Sequence, residues 1–182
     1  MSGRKLTNEE ITYSKFIFGD SIKYNDVLVY GEKFAFFQAD NTGMTPNGNI
    51  YLHGKSASDN YGVLTLPPAL RSLFIHEMAH VWQKQNNILN PVVSAVANAL
   101  RHALFYSEAY KYKLVEGKDL LEYRMEQQAQ IIEDYTRINF LHISISVKYI
   151  QNKEDNSKIL QLFAKVLSKF IENPSYPSST KK

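Results

Sequence analysis

LFIHEMAHVWQKQ, residues 73–85, carries two histidines four positions apart, with a glutamate directly after the first. Positions i and i+4 of a helix lie one turn apart on the same face, so the imidazoles of His76 and His80 can converge on one metal ion. Glu77 is rotated about 100° from His76 by the helical period. That puts its carboxylate within reach of an activated water without making it a ligand. Zinc suits such a set, because it lowers the pKa of water towards neutrality and polarises a substrate carbonyl. The carboxylate takes the water's proton and later passes it to the leaving amine. Coincidence would place these three residues at this spacing in roughly one sequence of this size in a hundred or more. The flanking Leu73, Phe74, Ile75, Val81 and Trp82 count against coincidence. Two histidines and a glutamate buried among them are costly unless a metal or partners neutralise them.

Around this stretch the boundaries are readable. Pro67 and Pro68 open a helix, since a proline at the first helical position gives up only an N–H that has no partner anyway. From Ala69 to about Gln85 the apolar residues cover most of the circumference, which places this helix inside the molecule. Asn86, Asn87 and Pro91 stop it. A second helix is expected from about Val92 to Tyr112, and a third from near Leu120 through EQQAQIIEDYTRINFLHISISVKYI. A last amphipathic helix is expected over about Ser157–Ile171. Upstream, residues 16–64 mix short apolar runs with Gly, Asn and Asp, which is strand-and-turn chemistry. In TPNGNIYL, residues 45–52, Pro46, Asn47 and Gly48 supply a turn and Ile50 and Leu52 alternate with Tyr51 and His53. Residues 1–15 and 173–182 are expected to be loosely held ends. Strands first and helices afterwards predict an α+β fold, a small N-terminal sheet packed on a helical bundle, within a single domain over residues 1–182.

Composition narrows the chemistry. With 182 residues, 44% hydrophobic, the chain suffices for one well-filled core. A net charge of +3 from 21 basic and 18 acidic residues, with no dense basic stripe, argues against nucleic acid as a partner. There is no cysteine, so any metal must be held by His and carboxylate. The N-terminus MSGRKLTNEEITYSKF lacks the apolar core of a secretory signal, and no stretch approaches the length of a membrane span. Synthesis in the cytoplasm and export by some other route are therefore expected.

Catalytic zinc usually keeps three protein ligands and one open position. Gln83 and Asn86 occupy the places where the metzincin motif has its glycine and third histidine, which excludes that class. The third ligand has to come from farther along. Glu126 is the leading candidate, because Ala129, three residues on, is a small side chain on the same face that would let this helix approach the HExxH helix. Glu108 is the alternative. Glu133 or Asp134 could orient a ligand histidine through its second ring nitrogen. Tyr106, Tyr110, Tyr112 and Tyr123 are candidates for the oxyanion donor, though most tyrosines are packing residues. A lone histidine such as His53 is more often at the surface, and His102 and His142 read as core or boundary residues.

In combination, NTGMTPNGNIYL, LFIHEMAHVWQKQ and YRMEQQAQIIEDY resemble a group of small zincin-like proteins and domains found near Rhs and Vgr components of bacterial type VI secretion systems. The resemblance covers roughly residues 17–136. It implies a gluzincin-like metallopeptidase with His76, His80 and Glu126 as zinc ligands and Glu77 as general base. It further implies an antibacterial effector exported by a type VI system, with the periplasm as target compartment and a secretion-spike component and an immunity protein as partners. Zincin proteases bind the substrate backbone along an edge strand beside the active-site helix. That assigns Asn49, Ile50, Tyr51 and His53 to substrate binding, the substrate being a protein or the peptides of peptidoglycan. The competing reading is a non-catalytic zincin-fold module that serves binding or assembly on a secretion apparatus.

Overall fold

The computed structural model describes residues 2–36, 38–88, 106–143 and 148–179. Within them the chain is a mixed α+β structure with one small sheet and several helices. The strands are β1 (Arg4–Lys5), β2 (Leu28–Tyr30), β3 (Gly43–Met44) and β4 (Ile50–Leu52), in the spatial order β1-β2-β4-β3. β4 runs parallel to β2 and antiparallel to β3, with Tyr51 opposite Met44. The turn expected before β4 is present: Gly48 takes φ +84°, and the Asn47 side chain accepts from the Asn49 amide at 3.1 Å.

Helix α1 (Asn8–Phe18) precedes β2, and α2 (Pro68–Gln85) carries the HExxH residues. α2 starts with Pro68 at its first turn and is buried on every side, from Arg71 to Gln83. It ends as expected: Asn86 Nδ2 donates to the Trp82 carbonyl, and Asn87 adopts φ +54°. Farther along come α3 (Tyr106–Tyr110), α4 (Met125–Asn139), α5 (Asn156–Val166), α6 (Ser168–Glu172) and α7 (Tyr176–Ser179). α4 lies along α2, and Ala129 is fully buried at their contact. One hydrophobic cluster runs from Leu6 through Trp82 and Ile131 to Tyr176. Among the described residues no helix is long and apolar enough to cross a membrane.

Several expectations are corrected. The first fifteen residues are not loose, because β1 pairs with β2 and α1 begins at Asn8 behind a capping box. The capping signature Thr7-Asn-Glu-Glu10 marks that start in the sequence. Residues 173–179 are not frayed: the Pro174 carbonyl accepts from Trp82 Nε1 at 2.8 Å, and the Tyr176 hydroxyl donates to Asp119 at 2.9 Å. The third helix begins at Met125 after a 3-10 turn and stops at Asn139. Beyond it FLHISIS alternates apolar and polar residues, a period of two that cannot keep one helical face buried. His142 is accordingly exposed, at φ +52°, and not a core residue. The last helix is divided at Leu167 into α5 and α6. Most of the helix expected from Val92, and His102 with it, lies outside the described residues.

The N-terminal elements are tied together by Glu10, which is fully buried. Its carboxylate accepts two bonds from Arg4 (2.7 and 2.8 Å) and one each from the amides of Thr7 and Tyr61 (both 2.9 Å). Glu10→Ala should leave those amides without partners and cost about 2–4 kcal/mol. The exposed neighbouring change Glu9→Ala should stay within about 0.5 kcal/mol. Urea unfolding of the two variants measures the difference.

Candidate metal centre

α2 presents His76 and His80 one turn apart, and the first turn of α4 brings Glu126 to the same point. All three are buried, at 4%, 3% and 8% exposure. Their ligand atoms lie within 4.8 Å of one another. Glu126 Oε2 stands 3.2 Å from His80 Nε2 and 3.4 Å from His76 Nε2. Glu126 is thus the acid that packing brings to the histidines. Glu108 is not: it is exposed and paired with Lys111 at 2.6 Å.

The tautomer of His80 follows from its surroundings. Gln83 Nε2 donates to the Met125 carbonyl (2.9 Å) and to Gln128 Oε1 (3.0 Å), while Gln128 Nε2 donates to the Tyr123 carbonyl (2.8 Å). The Gln83 amide oxygen must therefore be the atom 2.8 Å from His80 Nδ1, so Nδ1 carries the proton. His80 Nε2, which carries the lone pair in the neutral ring, is buried and without a hydrogen bond. It faces a carboxylate oxygen, and a cation between the two atoms would satisfy both. This residue set fits zinc, whose ligands include His nitrogen and carboxylate oxygen.

His76 is held from its other side by Glu133, whose Oε2 lies 3.2 Å from His76 Nδ1. Burial disfavours the charged ring, but the carboxylates of Glu126 and Glu133 beside it outweigh that and push the His76 pKa up to about 10. Burial would raise Glu126, yet the two histidines beside it pull its carboxyl well below the usual range. Asp134 does not reach the histidines. It accepts from the Tyr112 hydroxyl at 2.7 Å, and burial first, then Glu133, raises it to about 7.

Glu77 is 3% exposed and held by residues that the sequence did not single out. The Thr45 hydroxyl donates to its Oε2 at 2.7 Å. A Cβ on Gly43 would meet Glu77 Oε1 at 2.3 Å, so only glycine fits in β3 there. The strand expected as an edge, β4, is interior to the sheet. β4 is paired on both sides, Ile50, Tyr51 and Leu52 are buried, and β3 is the edge. Asn49 uses its side chain to accept from the Leu28 amide at 3.1 Å. His53 is buried, not a surface residue, with Nε2 3.0 Å from the Ala39 carbonyl. Of the candidate tyrosines, Tyr110 has its ring 5.6 Å from that of His76. Tyr123 is engaged with the backbone of Lys113 and Val115, and Tyr106 is not described beyond its backbone.

No family model matches the chain. It is 39% identical over 137 residues, 74% of its length, to the type VI secretion system spike protein VgrG2b of Pseudomonas aeruginosa. The match spans only 13% of that much longer protein. The solved effector domain of Pseudomonas aeruginosa VgrG2b superposes with a TM-score of 0.65 and 30% identity, over 93% of this chain and 82% of that one. The likeness therefore extends into the C-terminal helices, and the chain belongs to the family of the VgrG2b effector domain.

Proposed function

We propose that the chain is a zinc-dependent peptidase that works as a type VI secretion effector and cleaves peptide bonds of proteins or peptidoglycan in the periplasm of a target bacterium. The observation that carries the zinc reading is the convergence of buried His76, His80 and Glu126, with His80 Nε2 free of any hydrogen bond and facing Glu126 across 3.2 Å. Bound among His76, His80 and Glu126, zinc would supply the Lewis acid that polarises the scissile carbonyl and acidifies water. The remaining work belongs to the chain. Glu77, fixed through Oε2 by Thr45, takes the proton of the attacking water and delivers it to the leaving nitrogen. Gln83 and Glu133 keep the two imidazoles turned towards the ion. An extended substrate would pair with the outer side of β3, at Gly43 and Met44 against Glu77, in place of the interior strand at Asn49–His53.

The secretion part of the reading is supported by the relatives, one a spike protein and the other an effector domain. This supports a spike component as carrier, and an immunity protein as inhibitor is the further partner of the proposal.

Purified protein should contain about one zinc per chain, the stoichiometry of a single site. Glu77→Gln should keep that zinc, as measured by mass spectrometry of the metal, and lose about 10²–10⁴ in peptide hydrolysis. Full activity in this variant would refute the assigned base. If the zinc-loaded wild type digests neither sacculi nor unstructured polypeptides, the site serves binding and not hydrolysis.

The ligand assignment has its own test. Glu126→Ala should abolish stoichiometric zinc retention, and Glu108→Ala should leave it unchanged. Glu133→Gln should weaken zinc affinity about 10–100-fold without removing a ligand. Competition with a chromogenic chelator reads all three.

A further inference from the structure

A second polar group of α2 lacks a partner. Arg71 lies five residues before His76, about 140° around the helix from it. It is 9% exposed, its Nε has no hydrogen bond, and among the described residues no carboxylate pairs with it. Its guanidinium stacks 4.6 Å from the ring of Tyr13, whose own buried hydroxyl also lacks a hydrogen bond. A buried cation compensated only by an aromatic face is a costly element that packing alone does not explain.

Both residues open onto a groove of about 460 Å³ between α1 and the start of α2. Its walls include Phe16, Leu64 and Phe140, exposed by 70%, 83% and 42%. Large apolar side chains gathered at this exposure around a polar floor mark an interaction site and not ordinary surface. Glu9 also lines the groove, but its carboxylate is engaged by Asn60 at 3.2 Å and does not pair with Arg71.

We infer that this groove docks a partner protein through a carboxylate side chain flanked by apolar residues. The guanidinium supplies donors for one carboxylate, and the aromatic and aliphatic rim covers the neighbours of that acid. Charge complementarity selects an acidic occupant, and the net charge of +3 favours its approach. The groove does not include the metal ligands or Glu77, so this docking is independent of the zinc chemistry.

The test uses the full zinc-loaded chain and two blocked peptides, acetyl-Leu-Asp-Phe-amide and acetyl-Leu-Asn-Phe-amide, titrated by amide NMR. The Asp peptide should shift Tyr13, Gly62 and Arg71 saturably and bind at least about tenfold tighter than the Asn peptide, the value of one charge-assisted contact. Arg71→Met should abolish the preference and unfold at the same or a higher temperature, because an uncompensated buried charge has been removed. Leu64→Ser, at an exposed position, should weaken both peptides and leave folding unchanged. Both variants should keep wild-type zinc content and hydrolysis. Equal or absent shifts with the two peptides would overturn the inference, as would a lower unfolding temperature for Arg71→Met, which would make Arg71 a structural residue. Acetate binding as tightly as the Asp peptide would assign the groove to a small carboxylate. Concentration-dependent self-association lost in Leu64→Ser would assign it to a second copy of the chain. Either result overturns the partner-protein reading.

Discussion

The approach of Glu126 to two histidines inside the contact between α2 and α4 is the constraint on which the site depends. Two imidazoles and a carboxylate removed from water are tolerable only when they neutralise one another or a shared cation. The structure supplies both conditions in part. Glu126 and Glu133 stabilise a proton on His76, so the site is compensated as it stands, and that proton has to leave before both ring nitrogens facing Glu126 can act as ligands. The Gln83 amide, by contrast, holds His80 in the tautomer that already presents its lone pair.

How much of this was legible depends on the range of each interaction. The i, i+4 histidines and the adjacent glutamate are a local pattern, and the helix that carries them has the expected start at Pro68 and end at Asn86. Glu126 could be singled out because Ala129 predicts a close helix contact on the same face, and Ala129 is buried in that contact. The residues that hold Glu77 were not legible. Gly43 and Thr45 act across a sheet edge more than thirty positions away, and neither a glycine nor a threonine in a turn-rich segment announces a carboxylate neighbour.

The displaced substrate strand has a similar cause. Ile50, Tyr51 and Leu52 form the strongest strand signal in the N-terminal part, and a strong apolar signal with no exposed face is the mark of a central strand, not an edge. β3 is only two residues long, contains a glycine and is invisible to periodicity. Short, weakly patterned strands are how proteins blunt exposed edges against aggregation.

α2 is surrounded by protein, so each polar group on it has to be accounted for. The Ser72 hydroxyl donates to the Ala69 carbonyl, Gln83 bridges His80 to α4, and Asn86 closes the helix end while accepting from Ser178. Glu77 is held by Thr45, and His76 lies between two glutamates. Three atoms remain without a hydrogen bond: the Nδ1 of His76, the Nε2 of His80 and the Nε of Arg71. The two imidazole atoms belong to the cluster with Glu126, and the Arg71 Nε lies on a different part of the helix surface. Simple instability of the helix would leave such defects scattered among its polar groups. Here Ser72, Glu77, Gln83 and Asn86 are all engaged, and the exceptions sit where side chains converge on a shared point, the cluster of His76, His80 and Glu126 and a groove. Both are the pattern expected of sites completed by a binding partner.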